Sequence, residues 1–232
     1  MMKRAAVLSL LALATSAMAG QTRVTVQVIE VPHAELTKWM SSGKASGEEL
    51  HERAMKLASS GAAEIVDTNV VLARSGEKAL VESIAEVIFP TEYEGSDMAA
   101  PAKEPLVFDP NAPFSPRPWP NLFANAFETR NAGTTIEIEA TLSESGKHVD
   151  LRLSFEMVDQ DSLMTWTEYR DQWGEASIKR PIFETKRLTG ALTLVSGKFE
   201  LFNIFTPKPA AMPAATTRQM VFVRCEVLPL AK

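Results

Sequence analysis

Two stretches in the middle of the chain alternate apolar and polar side chains almost without a break. In TTIEIEATL, Ile136, Ile138, Ala140 and Leu142 point one way and Glu137, Glu139 and Thr141 the other. In VDLRLSFEM, Val149, Leu151, Leu153, Phe155 and Met157 oppose Asp150, Arg152, Ser154 and Glu156. Period-two alternation of this kind marks strands with one buried face, and Ser143 to His148, with Gly146, turns the chain between them. Val24 to Val31 reads as an earlier strand closed by Pro32. Ala63 to Ala73 and Lys78 to Phe89 read as a hairpin about Ser75-Gly76-Glu77, and Glu184 to Val195 with Lys198 to Phe205 as another about Ser196-Gly197. Arg218 to Leu228 is the last predicted strand. It follows residues 206 to 216, which are rich in Pro and Ala and read as an exposed connection.

Helical spacing is confined to the N-terminal part. His33 to Met40 predicts a short helix. Ser46 and Glu49 have capping-box spacing, and Leu50, Ala54, Leu57 and Ala58 form one apolar stripe that Gly61 can end. The expected fold is therefore α+β, mainly antiparallel β-sheet of hairpins with one or two N-terminal helices packed on it. Seven of the 14 prolines lie between Pro101 and Pro120. Proline removes ladder donors, so Gly95 to Asn125 is expected to be an extended loop, dispensable for folding. Its Phe108, Phe114, Trp119, Leu122 and Phe123 give it apolar content beyond that of a plain linker.

Met1 to Ala19 has the form of a secretory signal: Lys3 and Arg4, a short apolar run to Ala14, and the small-x-small site Ala17-Met18-Ala19. A single domain over residues 20 to 232 is expected after it, exported to the periplasm or outer membrane. Removing Lys3 and Arg4 leaves 22 basic against 29 acidic side chains, a net charge of −7. That balance, with no basic run, argues against nucleic acid as a partner. The lone Cys225 alternates with Val221, Val223 and Val227 and reads as a buried hydrophobe.

Chemistry-bearing patterns are sparse. His33, His51 and His148 stand in separate segments without metal-ligand spacing, so no metal or cofactor is expected. No nucleophile elbow or phosphate loop is present, and no catalytic residue is assigned. Glu137 and Glu139 share a polar strand face, where Arg152 is a cross-strand partner for one of them. Residues 164 to 174, MTWTEYRDQWG, read as the aromatic part of a long loop, either fastened to its own domain or facing a partner. With Trp119, its Trp166, Tyr169 and Trp173 are the candidate partner-binding residues. A small periplasmic hydrolase or carbohydrate-binding domain, using Glu137, Glu139 and the Trp166/Trp173 segment, is the alternative.

The order of three β-rich blocks, Ala73 to Pro90, Glu128 to Val158 and Arg180 to Phe205, resembles the core domain of the secretin family. That family comprises the ring-forming outer-membrane channels of type II and type III secretion and of type IV pili. VTVQVIEV is similar to the family's opening strand. Asn131-Ala132-Gly133 with Ile136, Ile138, Leu142, Gly146 and Val149-Leu151-Leu153 resembles its central hairpin. Arg187-Leu188-Thr189, Thr193 and Gly197 resemble the next hairpin, and MVFVRCEVL the closing strand. After Gly197 the family reaches a Gly-Gly-Leu step where this chain reads Glu200-Leu201-Phe202. The resemblance implies a short form without N-terminal ring domains, non-enzymatic, working through protein partners of the envelope and through homo-oligomers, with no small-molecule substrate.

Overall fold

A computed structural model describes residues 20–41, 43, 45–95, 122–171, 174–208 and 216–228. Two four-stranded antiparallel sheets lie face to face. The first runs β2 (Glu64–Arg74), β1 (Gln21–Pro32), β8 (Thr217–Leu228) and β7 (Phe199–Phe205). The second runs β3 (Lys78–Gly95), β4 (Leu122–Leu142), β5 (His148–Asp171) and β6 (Gly174–Val195). Helices α1 (His33–Ser41) and α2 (Gly47–Ser59) cover the other face of the first sheet. The fold is α+β, as the periodicity predicts.

Alternation explains the layering. Val24, Val26 and Val28 of β1, Val71 of β2 and Val221, Val223 and Cys225 of β8 point at the second sheet. They meet Ile136, Ile138 and Ala140 of β4, Val149, Leu151, Leu153 and Phe155 of β5 and Leu194 of β6. The opposite face of the first sheet puts Ile29, Met220 and Phe222 against Leu36, Leu50 and Ala54 of the helices. With both its faces covered, β1 holds the buried threonines Thr22 and Thr25 as well as valines. Thr22 is satisfied by donating to the Ala73 carbonyl at 3.1 Å. The capping box opens α2 as its spacing predicts: Ser46 Oγ accepts from Glu49 N–H at 3.3 Å, and Glu49 Oε2 accepts from Ser46 N–H at 3.2 Å.

Four sequence expectations need correction. The segments flanking Ser75-Gly76-Glu77 do not pair with each other, because β2 belongs to the first sheet and β3 to the second. The same holds for β6 and β7 about Ser196-Gly197. A short glycine turn carries the chain from layer to layer as readily as it folds a hairpin, and local chemistry does not separate the two. Residues 164 to 171 are strand, not loop. β5 and β6 stay paired as far as Asp171↔Gly174, with register shifts between Gln160 and Ser162 and between Thr165 and Thr167. β3 likewise runs through Pro90 to Gly95, which pairs with Leu122, so Leu122 to Asn125 belong to β4 rather than to the Pro-rich loop. The rest of that stretch, residues 96–121, lies outside the described residues, as does most of 206 to 216.

The second sheet is much longer than the first. Its strands have 18, 21, 24 and 22 residues, roughly 60–80 Å at about 3.3 Å per residue. β4 pairs with β5 only from Gly133 to Leu142. Beyond it the β3–β4 and β5–β6 ribbons separate and are bridged by side chains. Arg130 Nη2 donates to Thr185 Oγ1 at 2.8 Å and its guanidinium lies 4.8 Å from the Phe183 ring centroid. Phe89 meets Phe183, and Arg180 donates to the Thr91 carbonyl.

Candidate interaction edges

Each sheet ends in two strands without a partner on their outer side among the described residues. Because β2 turns directly into β3, those two free edges lie on one flank of the sandwich. Because β6 turns directly into β7, the other two lie on the opposite flank. The strand directions alternate across both sheets. A flank carrying β6 and β7 set against one carrying β3 and β2 would therefore run antiparallel to it in both layers at once.

The β2/β3 flank is apolar for an edge. Val70 is 53% exposed and Leu72 58%, and on β3 Leu80, Ile84 and Ile88 are exposed at 59%, 41% and 64%. Register puts Leu80 opposite Glu137 and Ile84 opposite Gly133, on the face of the second sheet that looks away from the core. The rest of that outward face is a charge ladder. Lys78 Nζ lies 2.8 Å from Glu137 Oε1, Arg152 pairs with Glu139 at 3.6 Å and Arg187 with Glu156 at 2.7 Å. The bond to Glu137 raises the Lys78 pKa, and the bond to Glu156 raises that of Arg187. Over its paired half the outward face is therefore ionic, with an apolar stripe confined to β3. Glu139 does find Arg152 as expected, and the partner of Glu137 is Lys78.

The β6/β7 flank is overlain by α2. Gly47 sits where a Cβ would come within 2.6 Å of Glu200 Cα and 2.8 Å of Leu201 N, so only glycine permits this approach. Glu48 Oε2 accepts from the Phe199 N–H at 2.7 Å. The His51 ring stacks on Phe199 with centroids 3.6 Å apart and meets Phe222 edge-on at 5.1 Å. Its Nε2 donates to Gln27 Oε1 at 2.8 Å. Burial lowers the His51 pKa; the Glu48 carboxylate opposes this and Arg224 adds to it. The Arg224 guanidinium lies 4.6 Å from the same Phe199 centroid, and its Nε stands 3.4 Å from Glu226 Oε1 without hydrogen-bond geometry.

Of the sequence-predicted site residues, Trp166 lies on β5 and is 66% exposed, so it does not fasten the segment to the domain. Tyr169 is in β5 near the end of the β5–β6 ribbon. Trp119 and Trp173 lie outside the described residues. Among the described residues no group of three or more His, Cys, Asp and Glu side chains could hold a metal ion, and no helix is long and apolar enough to cross a membrane. Cys225 is buried and its pKa is pushed up to about 12, first by burial and then by Glu226. Sequence reasoning missed Glu48, His51 and Phe199 as a group, since their partners are distant in the chain. It also missed Lys186, which is buried with its Nζ 2.7 Å from Asp159 and 3.1 Å from Glu184.

No protein-family model and no curated protein matches the sequence. Among solved structures the chain is similar to the secretin InvG of the Salmonella SPI-1 type III secretion injectisome. The identity is 9%, with 92% of this chain and 66% of that chain covered and a TM-score of 0.48. It is similar to the type II secretion system secretin GspD of E. coli K12 at 11% identity, over 90% and 50% of the two chains, with a TM-score of 0.41. It is similar to the type IV competence pilus secretin PilQ of V. cholerae at 9% identity, over 90% and 61%, with a TM-score of 0.38. The chain thus spans half to two thirds of these structures, and at such identities and scores no residue role carries over.

Proposed function

We propose that this chain is an exported, non-enzymatic protein of the cell envelope, a secretin-core-like unit acting by protein–protein contact in or beside a secretion or type IV pilus-type assembly. Copies associate head to tail, the β6/β7 flank of one against the β2/β3 flank of the next. The observation that carries this reading is the pairing of free edges by flank. Unpaired strand edges are templates for further strands, and two sheets with an even number of antiparallel strands present complementary edges on opposite sides. A contact between different surfaces repeats, closing into a ring or running on as a filament. The order of β-blocks in the sequence supports the same family resemblance. Exposed Trp166 supports a partner contact toward the far end of the β5–β6 ribbon.

Size-exclusion chromatography with light scattering on residues 20–232, with and without detergent, tests the association. Oligomers of defined copy number are expected. A strictly monomeric species under both conditions removes the head-to-tail contact and leaves a soluble accessory role. The exposure of Trp166 also favours a second reading, a carbohydrate-binding surface. Glycan binding lost in Trp166→Ala, with unchanged oligomeric state, would select it.

A further inference from the structure

We propose that Glu48 is a displaceable plug on the free edge of β7, and that the strand it holds off is β2 of a second copy. This deepens the head-to-tail reading above and rests on it. Residues along an antiparallel strand direct their N–H groups alternately toward one side and the other. Phe199 stands opposite Arg224 of β8, yet its N–H goes to the Glu48 carboxylate. That N–H therefore points to the free side of β7, and Glu48 fills the position an incoming strand's carbonyl would take. A carboxylate is the stronger acceptor of the two, so an added strand must first displace it.

Helix α2 is built to keep Glu48 there. Gly47 seats the helix start against the Glu200 backbone, the capping box fixes the first turn, and His51 lies flat on the Phe199 ring. Covering an edge or placing a charge on it is how sheets resist unwanted pairing; here one carboxylate from a neighbouring helix does both. Among the described residues the opposite flank has no such guard. β2 presents Val70 and Leu72 largely exposed, apolar surface that would be covered on pairing. Its segment Glu64–Arg74 is the occupant the geometry fits: an antiparallel edge strand of the same layer.

The test compares the exported chain with its Glu48→Ala, Glu48→Gln and Glu52→Ala variants. Self-association is followed by sedimentation velocity over a range of concentrations. Binding of a labelled synthetic peptide of residues 64–74 is followed by fluorescence anisotropy, and exchange of the Phe199 amide by NMR. Glu48→Ala is expected to lower the association midpoint and the peptide Kd about tenfold, the effect of removing one charge-assisted hydrogen bond, and to speed Phe199 exchange in the monomer. Glu48→Gln should fall between it and wild type. Glu52→Ala, which removes an exposed carboxylate of the same helix outside the cap, should change neither association nor peptide binding. Variants that keep the helical circular dichroism and bind the peptide no better than wild type overturn the plug. Chains that never self-associate overturn the head-to-tail reading, and the peptide arm still decides the role of Glu48.

Discussion

Gly47 and His51 fix how helix α2 meets the sheet, and each makes a separate prediction. An added Cβ at Gly47 would face Glu200 Cα and Leu201 N, backbone atoms of a paired strand that cannot swing aside as a side-chain tip would. Gly47→Ala should therefore lift the helix and cost about 1–3 kcal/mol, the usual scale of overpacking. In a domain of this size each kcal/mol lowers the Tm by about 2–4 °C, which calorimetry resolves. His51 acts through its charge. Its pKa is depressed in the folded state, mainly by burial, so the unfolded chain binds the proton more readily. The neutral ring's contribution is complete above the unfolded pKa of about 6.5. It is lost as the pH falls from there through the lowered folded value. Thermal unfolding of the wild type should thus move to lower temperature between pH 7.5 and pH 5 by more than that of His51→Phe, which keeps the stack and cannot titrate. Equal pH dependence in the two proteins would show that the ring does not titrate against folding.

At the scale of elements, the paired half and the splayed half of the second sheet are held by different forces. From Gly133 to Leu142 the β4–β5 ladder is backed by apolar packing on the first sheet. Gly133 marks the change: its φ is +128° and a Cβ there would lie 2.1 Å from the Ser83 carbonyl oxygen, an approach only glycine allows. Past it, Lys186 lies among the last inward-facing positions of β6, buried against Met157 in register, with Asp159 and Glu184 as its ion partners. Lys186→Ala leaves two carboxylates near each other without their cation and removes the buried stem. Breaking a fully buried pair costs roughly 3–5 kcal/mol. Asp159 is half exposed, which brings the expectation down to about 1–3 kcal/mol. Lys186→Met keeps an apolar stem and drops the charge, so chemical denaturation of the two variants side by side separates the two contributions. A loss confined to Lys186→Ala would assign the effect to the stem alone.

Over the whole molecule, what could be read from the sequence was whatever is written locally. The faces of β1, β4, β5 and β8, the capping box at Ser46 and the burial of Cys225 follow from spacing over a few residues. The two layers do not. The turns at Gly76 and Gly197 carry the same chemistry whether they join paired strands or neighbouring sheets, and the choice is made by apolar faces more than 50 residues apart, such as Val71 with Ile136. Residues 164 to 168 escaped because their side chains are exposed on both faces of a ribbon, and alternation vanishes without a buried side. The contacts of α2 with β7 join residues 48 and 199, beyond any local signal. The same separation of local from global bears on the Pro-rich stretch. Its two ends are already fastened, since Gly95 pairs with Leu122 in the β3–β4 ladder, so a short turn can close the gap. The entropy of closing a loop changes by only about 0.6 kcal/mol per doubling of length. Replacing residues 97–121 with a short Gly/Ser linker should therefore leave the Tm within a few degrees of wild type. A fall of more than about 10 °C, several kcal/mol at this size, would show instead that Phe108, Phe114 and Trp119 cover apolar surface of the sandwich.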